Sequence, residues 1–109
     1  MRFKVGDIVR HFKFEECYPS KQSQNWYTYI IEGFATDTET LQTMVVYRAL
    51  YDEFKLWVRP LSDFDSPVDK ERFPHVKQRM KYEVIFRPNS FQEDSGEPVS
   101  KIVHELMKY

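Results

Sequence analysis

Apolar and polar residues alternate with a period of two along most of this chain, the spacing of strands that bury one face. Val5 to Phe12 reads as a first strand, opened by the turn signal Gly6-Asp7. Trp26 to Phe34 reads as a second, in which Tyr27, Tyr29 and Ile31 alternate with Thr28, Ile30 and Glu32. Between them, Lys13 to Asn25 is polar, contains Pro19 and predicts a long loop. The run TDTET from Thr36 to Thr40 is rich in side chains that bond nearby backbone, and it marks a turn. Met44 to Leu50 and Leu56 to Arg59 follow as strands three and four, a hairpin whose turn carries Asp52 and Glu53. Pro60 ends this ladder because it has no N–H to donate. Leu61 to Phe64 predicts one helical turn, and Asp65 to Val68 a brief final strand.

The C-terminal third changes character. From Val76 to Arg87 the pattern puts Val76, Met80, Tyr82, Val84 and Phe86 on one side and Lys77, Arg79, Lys81 and Glu83 on the other, which predicts a half-buried strand. Arg87 to Glu97 has the composition of a linker. From Pro98 the period shifts: Val99, Ile102, Val103 and Leu106 fall at i, i+3, i+4 and i+7, one apolar stripe on a helix running to Lys108. A helix of about three turns is too short to stand alone in water and must dock on something. Short strands spaced by turns, without long helices before residue 98, predict a mostly β protein: a small SH3-like barrel with an added strand and a C-terminal α-helix. All 109 residues read as a single domain, with the barrel core over about 5–69 and the strand-and-helix extension over about 74–108.

Composition sharpens this picture. Aromatic residues make up 17% of the chain, nine Phe, seven Tyr and two Trp, against three Gly, so the core takes its bulk from rings and disorder is excluded despite 30% charged residues. Sixteen basic and seventeen acidic side chains leave a net charge of −1, so no global field draws the protein to nucleic acid or an anionic membrane, and any such binding is local. Cys17 is the only cysteine, which rules out an intramolecular disulfide and fits a reducing cytoplasm. Its acidic neighbours Glu15 and Glu16 oppose a reactive thiolate. The N-terminus has no signal-peptide pattern, and no apolar run reaches the roughly 20 residues of a membrane span. The expected location is cytoplasmic, with no membrane partner.

The blocks VGDIVRHFK, YIIEGFATDTETL, VVYRALY and LWVRPLSDF, in that order, resemble a family of small bacterial proteins known as domain of unknown function 1653. The resemblance covers about residues 5–64 and is carried mainly by Arg10-His11-Phe12-Lys13, Glu39-Thr40-Leu41 and the two hairpin blocks. It implies a compact β fold and names no activity.

The candidate chemistry lies in the hairpin. Met44, Val46, Arg48 and Leu50 face one way and Val45, Tyr47, Ala49 and Tyr51 the other, so both faces of the strand carry apolar bulk and the outer one needs cover from the tail, a partner or a ligand. Arg48 and Arg59, both embedded among apolar neighbours, are expected near one another. They could clamp a carboxylate or phosphate with Tyr47, Tyr51 or Trp57 as a stacking face. The plainer alternative is an internal ion pair of Arg48 or Arg10 with Glu32 or Glu39. Arg10, His11, Glu39, Tyr47, Arg48, Tyr51, Trp57 and Arg59 are the expected ligand-binding set, and Lys77, Arg79 and Lys81 form a second candidate stripe for anions or nucleic acid. That stripe also reads as charge protecting an edge strand. Asp63, Asp65 and Asp69 lack the spacing of a calcium loop and suit capping after Pro60, and three histidines and one cysteine give no metal-ligand spacing. No GxSxG, P-loop, GxGxxG, HExxH or CxxC pattern occurs, so no catalytic residue, metal or cofactor is implied. The leading expectation is a non-enzymatic module that binds an anionic small molecule, a nucleotide-like group or a peptide. A nucleic-acid-binding accessory protein with weak affinity comes next, then a small metabolite enzyme using His11 or Glu39 as acid or base.

Overall fold

A computed structural model describes residues 1–88 of the chain. Five strands form one antiparallel sheet: β1 Ile8–His11, β2 Thr28–Thr36, β3 Thr43–Ala49, β4 Leu56–Pro60 and β5 Tyr82–Phe86, in the spatial order β4-β3-β2-β1-β5. The fold is mostly β, as expected. The helix expected over Pro98 to Lys108 lies outside the described residues.

The turns follow from local chemistry. Gly6 has φ of 90°, a backbone region that disfavours side chains, and its N–H bonds to the Ile31 carbonyl at 2.8 Å, which brings the chain into β1 against β2. At the β2–β3 turn the Asp37 carboxylate accepts the N–H groups of Glu39 and Thr40 at 2.8 and 3.1 Å, the local bonding that TDTET implied. The β3–β4 turn contains Asp52 and Phe54 in left-handed conformations. The loop expected between Lys13 and Asn25 is more structured than its polarity suggests. His11 Nδ1 accepts the Lys13 N–H at 3.1 Å and caps a 3-10 turn, Phe12–Glu16, after which Pro19 opens the short helix α1, Pro19–Gln22.

Strand parity sorts the residues as the sequence predicts. Val45, Tyr47 and Ala49 of β3 are buried, and they pack with Phe3, Val9, Tyr29, Ile31, Phe64 and Tyr82 into one core on the inner face of the sheet. A register shift between Ile31 and Gly33 then turns Phe34 inward opposite Val45, so β2 serves the same core on both sides of the irregularity. A smaller cluster of Phe12, Val68 and Val76 lies under the segment that follows α2, Leu61–Phe64.

The expected closed barrel is replaced by an open sheet, with β4 and β5 as edges among the described residues. Helical turn α2 and the chain after it occupy the gap. Phe64 stacks on Tyr82 with ring centroids 3.9 Å apart and planes 6° from parallel. The stretch expected as a brief strand reaches Met80 through a single bridge from Pro67, flanked by Lys81 N–H to Ser66 carbonyl and Val68 N–H to Arg79 carbonyl bonds, both 2.9 Å. The long strand expected from Val76 to Arg87 shortens to β5 because its first half is held elsewhere. The Glu15 carboxylate accepts the N–H groups of Lys77 and Gln78 at 2.8 and 2.7 Å, and the Gln78 side-chain amide donates to the carbonyls of Arg10, Met80 and Lys81.

Among the described residues one charged side chain, Asp7, is fully buried. Asp7 accepts the Lys4 N–H at 2.8 Å and the Nε and Nη2 groups of Arg87 at 2.7 Å each, fastening the end of β5 to the start of β1. Removing one partner of such a pair leaves an uncompensated charge, whereas removing both does less harm. Arg87→Met should therefore lower the melting temperature more than the double variant Asp7→Asn/Arg87→Met. Strictly additive losses in a thermal-melt cycle would show that the two side chains do not act as a pair.

Candidate functional site

The inner face of the sheet does not fill completely. Registers Tyr47↔Trp57, Val45↔Arg59, Val9↔Tyr29 and His11↔Tyr82 place these side chains on one concave side. His11, Lys13, Tyr27, Tyr29, Tyr47, Trp57, Arg59 and Tyr82 line an open cavity of about 180 Å³. Tyr27 reaches it from a left-handed backbone just before β2, and Lys13 from the 3-10 turn that His11 caps. Tyr47 and Tyr82 are buried floor residues, their hydroxyls 3.4 Å apart, while Trp57 keeps 48% of its surface exposed.

The electrostatics favour an anion. Two cations, Lys13 and Arg59, line the cavity and no acid does. Asp63, from α2, stands beside them but is already shared: one carboxylate oxygen lies 2.7 Å from Lys81 Nζ and the other 3.2 Å from an Arg59 nitrogen. The hydrogen bond from Lys81 holds the Asp63 carboxyl below its usual range, with both cations contributing against the opposing cost of burial. His11 registers the same field. Burial first, then Arg59, Lys13 and Lys81, push its pKa down to about 3, so the imidazole is neutral. Because Nδ1 accepts the Lys13 N–H, the ring proton sits on Nε2, a donor on a ring that lines the cavity. Burial raises the Tyr29 and Tyr82 hydroxyls well above their ordinary value, and they remain neutral hydrogen-bonding groups. The arrangement thus offers two cations, one imidazole N–H and a set of rings.

Of the eight residues singled out in the sequence, His11, Tyr47, Trp57 and Arg59 come together here. Tyr51 borders the adjoining depression, its ring tilted against that of Trp26 with centroids 4.7 Å apart and its hydroxyl bonded to that of Tyr29 at 2.8 Å. The other three lie elsewhere. Arg48 is on the opposite face of the sheet, bonded to Glu32 at 2.8 Å and to the Phe54 carbonyl at 3.0 Å, the ion-pair alternative rather than the clamp. Arg48 and Arg59 are therefore not neighbours. Arg10 is on that face too, bonded to Thr28 Oγ1 and lying 3.8 Å over the Phe14 ring. Glu39 is exposed in the β2–β3 turn, so His11 and Glu39 share no site. Lys77 and Arg79 are exposed on a non-strand segment and Lys81 turns to Asp63, so the three do not form one stripe.

Lys13, Tyr27, Tyr29, Tyr82 and Asp63 complete the surroundings of the cavity and were not among the expected site residues. The parity of Tyr27 and Tyr29 with Ile31, and of Tyr82 with Val84, carried a signal for the three tyrosines; nothing in the sequence marked Lys13. The acids after Pro60 are engaged separately, Asp63 with Lys81 and Arg59, Asp65 with Arg2, and Asp69 with the Glu71 N–H. No group of metal-ligating side chains occurs among the described residues. At Cys17 burial pushes the thiol pKa up, with Glu16 adding to it against Lys21, so the group stays protonated.

The depressed His11 pKa has a stability consequence with a definite sign. The unfolded imidazole takes a proton near 6.5 and the folded one only near 3, so stability is full above the first value and falls as pH drops between the two. His11→Asn retains an acceptor for the Lys13 N–H and cannot titrate. Between pH 6 and pH 4 the unmodified protein should lose about 1.4 kcal/mol per pH unit more than this variant. Denaturant midpoints across that range measure the difference, and parallel acid limbs would mean that folded His11 charges freely.

A family model described as protein of unknown function (DUF1653) matches residues 7–82, a span that opens at the buried Asp7, closes at Tyr82 and contains every residue of the cavity. No curated protein and no solved structure matches the chain. The chain belongs to the DUF1653 family of proteins of unknown function.

Proposed function

We propose that the protein is a cytoplasmic, non-enzymatic binding module that holds a small anionic molecule with a planar ring, nucleotide-like in its chemistry, in the cavity between β4 and β5. The observation that carries this reading is the pairing of a half-exposed indole, Trp57, with Arg59 and Lys13 on a wall that contains no acid. A planar ring stacks on Trp57 and Tyr27. Its carboxylate or phosphate takes the outer edge of Arg59, whose remaining donors Asp63 does not satisfy, and the ammonium of Lys13. The His11 Nε2–H fixes the ligand's orientation as a neutral donor. Tyr47 and Tyr82 keep the floor rigid, so little ordering is lost when the ligand enters. The SH3-like description fits this arrangement only in the sense of a curled small sheet with a working concave face.

Native mass spectrometry of freshly purified protein should reveal a retained anionic ligand, and calorimetry with mononucleotides and aromatic carboxylates should define its class. Arg59→Met should weaken binding roughly 10- to 100-fold, the effect of losing a charge-assisted hydrogen bond. Trp57→Ala should weaken it as well, with both variants still folded because each side chain is partly exposed. Arg48→Met, on the far face, should leave binding unchanged and cost under about 1 kcal/mol of stability, as for a surface ion pair. Binding that survives Arg59→Met would refute the proposed site.

A second reading draws on the continuity of the surface. The depression containing Cys17, Tyr18 and Lys21 shares Lys13 and Tyr27 with the cavity, and the one containing Trp26, Tyr51 and Lys55 shares Trp57, so rings and cations continue on both sides. Such a groove suits a single-stranded nucleic acid. With Glu16, Asp52 and Glu53 also present, few phosphates can be neutralised, and log affinity for labelled single strands should fall with log salt at a slope of roughly −2 to −3. Tight, salt-insensitive oligonucleotide binding would contradict this charge argument.

A further inference from the structure

The outer face of the sheet is largely apolar, and away from the corner where Arg10 lies over Phe14 its residues Ile8, Ile30, Val46, Leu56, Val58 and Phe86 are partly or well exposed. One row crosses all five strands through the pairs Leu56↔Arg48, Arg48↔Ile30, Ile30↔Ile8 and Ile8↔Phe86. Its single charge, Arg48, is neutralised by Glu32. The adjacent row begins Val58↔Val46. Leu56, Val58 and Phe86 expose 50%, 60% and 59% of their surfaces, far above what side chains in the core of a sheet retain. An apolar face running across a whole sheet is a surface that a stable protein ordinarily covers.

We propose that this face is the docking site of the chain's own C-terminal segment, with the apolar stripe of Val99, Ile102, Val103 and Leu106 lying across the strands. The chain leaves β5 at Phe86, itself on the outer face, and then supplies the only long apolar stripe outside the described residues. The dimensions agree. Eleven residues at helical rise span roughly 16 Å, and four strand spacings span roughly 19 Å. The nine residues between Pro88 and Pro98 reach up to about 30 Å, enough to return the stripe to any strand. The polar positions of the segment alternate in sign, Lys101 and Lys108 against Glu97 and Glu105, and suit a solvent-facing side above a neutral sheet. This docking is independent of the cavity, which opens on the opposite face.

A nitroxide attached through Glu105→Cys in a Cys17→Ser background tests the proposal in the full-length chain. The amide resonances of Ile30, Val46 and Val58 should lose intensity, while those of residues 69–75, beyond the core, keep it. Adding Ile102→Asp should restore the lost intensity and increase binding of an apolar dye, with the dispersion of the sheet resonances retained. Three outcomes would overturn the proposal. The nitroxide could leave the sheet amides unaffected. Broadening could persist with Ile102→Asp. Broadening could also appear in isotope-labelled protein mixed with unlabelled nitroxide-bearing protein, which would assign the face to a second copy.

Discussion

The stack of Phe64 on Tyr82 is the contact on which this architecture turns. Phe64 belongs to α2, directly after β4, and Tyr82 begins β5, so a parallel ring pair with centroids 3.9 Å apart joins the two free edges of the sheet. Closure of a five-stranded sheet through backbone hydrogen bonds requires its edge strands to meet. Here two rings meet instead, and Phe3 and Tyr47 meet Phe64 edge-on at 4.9 and 5.2 Å. The sheet curls without closing, and the core forms under the curl.

A gap bridged by side chains can be sealed at one end and open at the other. On the α2 side, Phe64, the Asp63–Lys81 pair and the Pro67–Met80 bridge fill it. At the other end, rings too bulky to interdigitate leave the cavity between Trp57, Tyr27 and His11. Tyr82 belongs to both regions: one side packs on Phe64, and its hydroxyl meets Tyr47 at the cavity floor. Stability and site thus rest on the same residue. The floor is also core, and the accessible part of the cavity wall is left to Trp57, Lys13 and the half-buried Arg59.

Much of the fold was legible because it is encoded locally. Alternation placed Val45, Tyr47 and Ala49 inside, Asp37 and its neighbours announced their turn, and Pro60 ended β4. What the sequence concealed depends on register and distance. Whether Arg48 and Arg59 share a face is decided by how the β3–β4 loop pairs its strands, and that loop uses left-handed Asp52 and Phe54 in a way composition does not signal. The pairing sets odd residues opposite odd ones, so Arg59 joins Tyr47 inside while Arg48 stays outside. The alternation from Val76 to Arg87 suggested a single strand. Glu15, 62 residues away in sequence, bonds the Lys77 N–H and removes the backbone there from the sheet. Asp7 and Arg87, 80 residues apart, likewise pair with no local trace.

Partner geometry then separates the arginines that have a partner of their own from the one that shares it. Arg87 completes the coordination of a buried carboxylate, Arg2 pairs with Asp65, and Arg48 pairs with Glu32. Arg10 and Arg72 lie over Phe14 and Phe73, where a ring face supports the cation and exposure supplies the remaining solvation. Arg59 is held differently. Its carboxylate, Asp63, gives one oxygen to Lys81 at the shorter distance, and its guanidinium stands 5.6 Å from the Tyr82 ring, at the rim of a cavity that also contains Lys13. Arg59 and Lys81 on one carboxylate leave positive charge in excess at the rim of a partly desolvated concavity.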